Sequence, residues 1–477
     1  MTAPASPAFR RAAAKALKDA QLRGNFRRAM DGLMAKRAAV FSDPEEWRQM
    51  RALGASIRAR SLANLPRLLE TLEASCRRNG IRVHWAESAG EGNQIVFEIL
   101  RSHGVKRVIK GKSMVSEEML LNDYLEERGI ESLESDLGEY IIQLDHETPS
   151  HIIAPAVHKN RKQIARLFSE KIRSAEYTED IEQLTAIARR VLRQKFFEAE
   201  AGISGVNFAV AETGTLCLVE NEGNGRMCTH VPPVHVAVMG IEKVVERLED
   251  VPPLYSLLTR SATGQAITTY FNMVSGPRGT GEKDGPREVH LVILDNGRSR
   301  IHGDAELGQT LKCIRCGACM NHCPVYTRVG GHAYETMYPG PIGKILIPQT
   351  EGLARRHDLV EASSLCGACV EACPVEIPIT ELLLRLRKEA IRRDGSAGVL
   401  EGGEGESRLE TLVWFLWKTA HVHPSLYRLL GWALTRLRRV LPTRLPVLSA
   451  WTSVRTAPRP APKTLHEIAR EHGVPSA

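Results

Sequence analysis

Aromatic residues make up only 5% of the 477-residue chain. No stretch reaches about 18 uncharged apolar residues, so no transmembrane helix is expected. The N-terminus has no apolar core of the kind a secretory signal needs. No G-x-G-x-x-G follows a predicted strand, so the chain carries neither a flavin nor a nicotinamide fingerprint. The net charge is +8, but no recognisable nucleic-acid module accompanies it. That charge suits an acidic partner protein or lipid headgroups instead. Residues 8–37 are rich in Arg and Ala, with Asp19 and Asp31 as their only acids. This has some likeness to an organellar presequence, but a soluble amphipathic helix is the preferred reading. An apolar content of 43% and this length fit a globular chain of two or three domains.

Cysteine is present, and it is concentrated. Cys313-Ile-Arg-Cys316-Gly-Ala-Cys319-Met-Asn-His-Cys323-Pro324 has the spacing C-x2-C-x2-C-x3-C-P. Three thiolates so close wrap one cubane, and the fourth, followed by proline, points at a second. The run Ser363-Ser-Leu-Cys366-Gly-Ala-Cys369-Val-Glu-Ala-Cys373-Pro374 repeats the pattern with serine in its first position. A structural zinc site needs four ligands and no Cys-Pro ends, whereas the two runs hold seven cysteines. A disulfide framework belongs to short secreted chains. Iron–sulfur binding is therefore the reading of both runs, and unbridged cysteines predict a reducing cytoplasm. Cys76, Cys217 and Cys228 are scattered and receive no role.

Around these runs the chain divides into a helical region (1–80), an α/β domain (81–300), a helical ferredoxin domain (301–394), a Gly/Glu-rich linker (395–407) and a C-terminal basic amphipathic region (408–477). Leu62, Leu65, Leu68, Leu69 and Leu72 recur at helical spacing. Asp43-Pro44 reads as a helix start. Strands are expected at 81–85, 105–110, 206–210, 215–220, 234–239 and 289–294, and short β-rich runs at 140–144 and 151–154. Helices are expected at 94–103, 116–127, 161–168 and 181–201. Strands alternating with long helices predict a largely parallel sheet. In the last region Trp414, Phe415, Trp417, Trp432 and Trp451 stand among Arg436, Arg438, Arg439 and Arg444. Such helices serve a partner or membrane surface, or fold back on their own domain.

Three places in the α/β domain offer chemistry. Lys110-Gly-Lys112-Ser113 follows a strand, but the position where a Walker loop needs glycine is Lys106, so a phosphate-binding P-loop is excluded. The basic turn is either a carboxylate or phosphate holder, or a solvated turn. Glu212, in Ala211-Glu-Thr-Gly-Thr215, is either a base or nucleophile, or part of a hairpin turn. The polar loop 220–226 is either a pocket lining or a turn. His230 and His235 lack a third metal ligand.

The chain resembles the lactate utilisation protein B family of LUD-domain iron–sulfur proteins. The residues that carry the likeness are Gly104–Ser113, Ala211-Glu-Thr-Gly-Thr215, the Cys313–Pro324 run, Tyr338-Pro-Gly-Pro-Ile-Gly343 and Leu365-Cys-Gly-Ala-Cys369. The resemblance implies an α/β domain similar to ribose-phosphate isomerase and CoA-transferase folds, followed by a helical dicluster domain. It also implies L-lactate oxidation to pyruvate with two companions, a cysteine-rich redox subunit and a second LUD-domain protein. It assigns no catalytic residue. By the crossed ferredoxin pattern, Cys313, Cys316, Cys319 and Cys373 hold one 4Fe–4S cluster. Cys323, Cys366 and Cys369 are left with the second. There Ser363 ligates through oxygen, the corner stays open (4Fe–4S or 3Fe–4S), or a partner completes it.

Three functions follow. The chain is an electron-transfer subunit, lactate chemistry occurring elsewhere. Alternatively, the α/β domain is a catalytic or substrate-binding module, with Glu212, Lys112 and loop 220–226 at its site. The last reading is a cluster-bearing redox sensor or scaffold.

Overall fold

Apolar residues spaced three and four apart build the first layer. Leu65, Leu68, Leu69, Leu72 and Cys76 share one buried face of helix Leu65–Arg78, each leucine worth about 1.5–3 kcal/mol when fully buried. The preceding helix, Pro44–Ala63, starts as its sequence predicts: the Asp43 carboxylate accepts from the Glu45 amide, and Pro44 fills the first turn. These contacts come from a computed structural model that describes residues 8–173, 175–391, 408–438 and 459–473. The chain forms two units, Met1–Glu404 and Gly405–Ala477.

Among the described residues of the first unit, ten strands form two sheets. They are β1 (Ile81–Ala86), β2 (Arg107–Lys110), β3 (Glu131–Glu134), β4 (Ala201–Gly205), β5 (Phe208–Val210), β6 (Thr215–Glu220), β7 (Val234–Gly240), β8 (Val244–Val245), β9 (Tyr270–Val274) and β10 (Glu288–Leu294). The larger sheet runs β1-β10-β7-β4-β2-β3, and every pairing in it is parallel. All seven residues of β7 are buried, which is why its sequence is apolar without alternation. The smaller sheet, β8-β5-β6-β9, is mixed, with antiparallel β5–β6 and β6–β9 pairs. From β2 the chain proceeds outward to β3, then returns to β4 and continues the other way through β7 and β10. The strand order therefore reverses between β2 and β4, where open α/β sheets form crevices at their carboxyl ends.

Four expectations are corrected. Residues 140–144 lie in helix Leu137–Leu144, because Asp136 caps the Gly138 and Glu139 amides and overrides the β-favouring Tyr-Ile-Ile. Residues 151–154 form no strand; His151 Nδ1 accepts from the Ile153 and Ala154 amides instead. The helix expected at 116–127 is two short helices, broken by left-handed Leu120 (φ 52°). Residue 201 opens β4 rather than ending a helix. A side chain at Gly202 would lie 1.9 Å from the Cys228 carbonyl oxygen, so small residues let helix Asn224–His230 cross this strand closely.

The dicluster region packs on the carboxyl edge of the parallel sheet and under the N-terminal helices. Phe26 meets Tyr326 edge-on at 5.5 Å. Arg51 donates to the Cys373 and Val370 carbonyls at 2.7 and 2.6 Å. Buried Arg58 donates to the carbonyls of Lys312, Val244, Glu242 and Leu311, joining three segments at one guanidinium.

The second unit contains helices Arg408–Val422, Pro424–Leu437 and Leu465–Glu471. Trp414 and Trp417 stack edge-on at 5.8 Å, and Trp414, Phe415, Trp417 and Trp432 are exposed. The linker, Trp451, Arg439 and Arg444 lie outside the described residues. Among the described residues, no helix is long and apolar enough to cross a membrane.

Candidate functional site

The two cysteine runs fold into the same local shape. In the first, Arg315 (φ 63°) and Gly317 (φ 74°) turn left-handed before helix Ala318–Asn321. In the second, Leu365 (φ 54°) and Gly367 (φ 84°) do the same before Ala368–Glu371. Glycine suits the second of these turns because it adopts positive φ without steric cost. In the first loop the Arg315 amide donates to Cys313 Sγ at 3.4 Å. In the second the Leu365 amide donates to Ser363 Oγ at 3.2 Å. The Ser363 hydroxyl thus stands in its loop where the Cys313 thiol stands in the other.

Cys313, Cys316, Cys319 and Cys373 line one small cavity together with Arg315, walled by Ile152, Ile314, Ile342, Val375, Ile377 and Ile379. None of the ten cysteines is bridged. Burial pushes the Cys373 thiol up to about 11. Cys316 and Cys319 are pushed up too, by burial first and then by the neighbouring thiols. Four convergent sulfurs in an apolar chamber would repel as free thiolates. A cationic iron core relieves that repulsion, so the donor set fits an iron–sulfur group. The Ile377 amide, donating to Cys373 Sγ at 3.4 Å, favours the thiolate.

The other three cysteines differ in setting. Cys369 is held up to about 11, mainly by burial and then by Cys323. Lys344 Nζ donates to Cys323 Sγ at 3.7 Å and lies 5.6 Å from the Tyr334 ring centre. Cys366 is exposed. The first group is buried except for half-buried Cys313, and the second is exposed at Cys366.

A second cavity, of ≈ 280 Å³, opens at the β2/β4 reversal. Lys112 follows β2, Asn207 follows β4, and Lys243 follows β7; Arg315 and Tyr338 enter from the dicluster region. Arg315 and Ile152 line both this cavity and the cysteine chamber. A buried network fixes the boundary. Arg298 pairs with Glu118 at 2.7 Å and Glu242 at 2.8 Å. Arg315 pairs with Glu242 at 3.3 Å and lies over Tyr338 at 4.5 Å. The Tyr338 hydroxyl donates to Glu118 at 2.8 Å. Its arginines hold the Glu242 carboxyl at about 2 against the opposing effect of burial.

The residues expected from sequence separate here. Lys110 is structural, ion-paired with Glu134 at 2.6 Å and Glu117 at 2.9 Å. Lys112 lines the cavity, as do residues 220–222, 224 and 225 of the polar loop. Glu212 does not join them. It sits in the β5–β6 turn, where its carboxylate accepts from the Leu248 amide at 3.3 Å and its carbonyl from Ser75 Oγ at 3.3 Å. The expectation of one pocket holding Glu212 and Lys112 is thus corrected. His235 Nε2 lies 2.8 Å from Ser204 Oγ, and His230 Nδ1 lies 3.0 Å from the Arg226 carbonyl. Cys76, Cys217 and Cys228 are buried, each pushed up to about 12 mainly by burial. Glu147, His158 and His332 cluster, but Lys159 Nζ already sits 2.8 Å from Glu147. Arg315, Lys243 and Lys344 were missed, and only Arg315, a cation inside C-x2-C, carried any signal.

Comparison with known proteins fits this arrangement. The LUD domain family model matches residues 69–294, the 4Fe-4S dicluster domain 309–377, and "Lactate utilisation protein B, C-terminal" 385–474. Lactate utilization protein B of Bacillus licheniformis is 42% identical over 459 residues, covering 95% of this chain and 94% of that protein. Its namesake in Bacillus velezensis is 45% identical over 395 residues, covering 83% of each. That of Bacillus subtilis is 44% identical over 395 residues, covering 83% and 82%. A solved DUF162 family protein from Deinococcus radiodurans, 14% identical, covers 48% of this chain and 98% of its own, with a TM-score of 0.28, too low to bear on the fold. With a LUD domain, a dicluster domain and the characteristic C-terminal region in one order, and relatives matched along almost its whole length, the chain belongs to the lactate utilization protein B family.

Proposed function

We propose that this chain is the iron–sulfur electron-transfer component of an L-lactate-oxidising system, working with companion proteins that include a cysteine-rich redox subunit and a second LUD-domain protein. The lactate assignment comes from the names of its relatives. The observation that carries the electron-transfer reading is the division of the cysteines into a mostly buried group, with Cys313 half-buried, and an adjoining group that is exposed at Cys366. A relay needs an interior end for receiving electrons and an exit for a partner. When bound, each cluster supplies reversible one-electron storage.

In this reading Cys313, Cys316, Cys319 and Cys373 hold the interior 4Fe–4S cluster, and Cys323, Cys366 and Cys369 hold the outer one. Ser363 Oγ completes the outer set, supported by its match to Cys313 in loop geometry. Arg58 and Arg51 hold the interior loops through carbonyls, so the thiols keep their spacing. Lys344 places a cation beside Cys323, which favours the reduced, more negative state of the outer group. The ribose-phosphate isomerase and CoA-transferase likeness belongs to this reading through the family resemblance; the all-parallel larger sheet is compatible with it.

The test is lactate turnover. The anaerobically purified chain with an artificial acceptor is expected to leave L-lactate unchanged, and to support oxidation once its companions are added. Turnover by the pure chain would instead favour the reading in which the α/β domain is itself catalytic. The cavity beside the interior cysteines favours a substrate-binding role for that domain.

A further inference from the structure

We infer that the cavity at the carboxyl ends of β2, β4 and β7 is a binding site for a small monocarboxylate, held by Lys112, Lys243 and Arg315 beside the interior cysteine chamber. Its position is where an open parallel sheet presents ligand sites, at the reversal of strand order. Its size, ≈ 280 Å³, is at the lower end for ligand pockets.

The charges on its wall are unequally committed. Lys243 is only 6% exposed and, among the described residues, has no hydrogen-bond or ion-pair partner. Lys112 Nζ is shielded from solvent with no hydrogen bond, and its nearest carboxylate, Glu139, is 4.0 Å away. Arg315 uses one nitrogen on Glu242, while its Nη1 is buried without a partner. Burying cations unpaired is expensive, so three with spare donors around one cavity mark a place made for an anion.

The acids on the same wall are occupied. Asp136 caps the Gly138 and Glu139 amides. Glu220 accepts from the Gly225 and Arg226 amides, and Glu222 accepts from the Leu137 amide. Glu222 also feels the charge of Lys112, but among the described residues none of the three forms an ion pair with Lys112, Lys243 or Arg315. The negative charge of Asp136 and Glu220 also disfavours a polyanion such as a nucleotide, leaving an occupant with a single charge, while burial and Asp136 push the Glu222 carboxyl up to about 7. Val206 and Leu258 supply apolar wall for a short alkyl group. Because Arg315 stands between Cys313 and Cys316 in the chain and lines both spaces, the occupant would be one side chain from the thiols. That the carboxylate is the 2-hydroxy acid being oxidised, or its 2-oxo product, rests on the proposed function; the anion site itself does not.

The test is calorimetric titration of the anaerobically purified full chain with L-lactate, pyruvate and inorganic phosphate. EPR of the dithionite-reduced protein is recorded with and without saturating pyruvate. Saturable binding of L-lactate or pyruvate is expected, with a shifted reduced-state spectrum. Lys112→Gln is expected to weaken it at least tenfold at unchanged iron content, and Lys112→Arg to retain most of it. Absence of binding to the iron-replete chain would overturn the inference, as would phosphate binding more tightly than either carboxylate. Carboxylate binding unaffected by Lys112→Gln would also overturn the assignment. Turnover in the reconstituted system separates the two claims. Oxidation of lactate without binding here removes the site and leaves the relay. Binding here with no support of oxidation removes the relay and leaves the site.

Discussion

Ser363 carries the sharpest prediction at the scale of single residues. If its oxygen completes the outer group, Ser363→Cys should keep full iron and change only the outer cluster's reduced-state EPR signal and potential. Sulfur is a softer donor than oxygen, and ligand type sets the potential. Ser363→Ala should give an oxidised-state three-iron signal. Identical spectra for wild type and Ser363→Ala would remove the serine from the ligand set. The cysteines were legible in the sequence because cluster ligands are spaced locally, and spacing is what a sequence preserves. Lys243, Lys344 and Arg58 were not, because their importance arises from chain segments brought together only by folding. Arg58, for example, binds carbonyls 184–254 residues away.

At the scale of elements, the carboxyl edge of the parallel sheet organises the molecule. Glu118 follows β2, Glu242 follows β7 and Arg298 follows β10; Glu118 meets Tyr338 and Glu242 meets Arg315 of the dicluster region, with Arg298 bridging the two carboxylates. Arg298 is fully buried between two carboxylates. Arg298→Met should therefore cost about 3–5 kcal/mol, since it leaves those charges without their cation. Chemical denaturation of the iron-loaded protein would measure it, and a loss below about 1 kcal/mol would contradict this account of the boundary. Strands β1, β2, β7 and β10 were legible from their apolar runs, and the helix at Pro44 from its cap; the Gly-rich central strand β4 was not. Nor were strands β3 and β9. Glu131-Ser-Leu-Glu134 offers little β propensity, and Tyr270–Val274 is only partly buried, so pairing with neighbours makes them strands. The failure at residues 140–144 has the opposite cause: β-favouring residues were captured by a strong helix cap.

At the scale of the whole chain, the arrangement runs from a cation-lined cavity at the sheet edge, through Arg315, to a mostly buried cysteine group and then to one exposed at Cys366. In the sequence, helical spacing, strand–helix alternation, cysteine runs and an aromatic–basic tail each mark their own stretch. The cavity was only half readable. Lys112 and the 220–226 loop stood out as polar insertions at strand ends, whereas Glu212 stood out for the same reason and belongs to a turn. The central claim is two clusters in one chain. Its most direct test is iron and acid-labile sulfide per chain on anaerobically purified protein, with EPR of oxidised and dithionite-reduced samples. Two four-iron clusters give about eight irons and eight sulfides, with signals only on reduction. About four irons per chain in fully loaded protein, or zinc in their place, would contradict it.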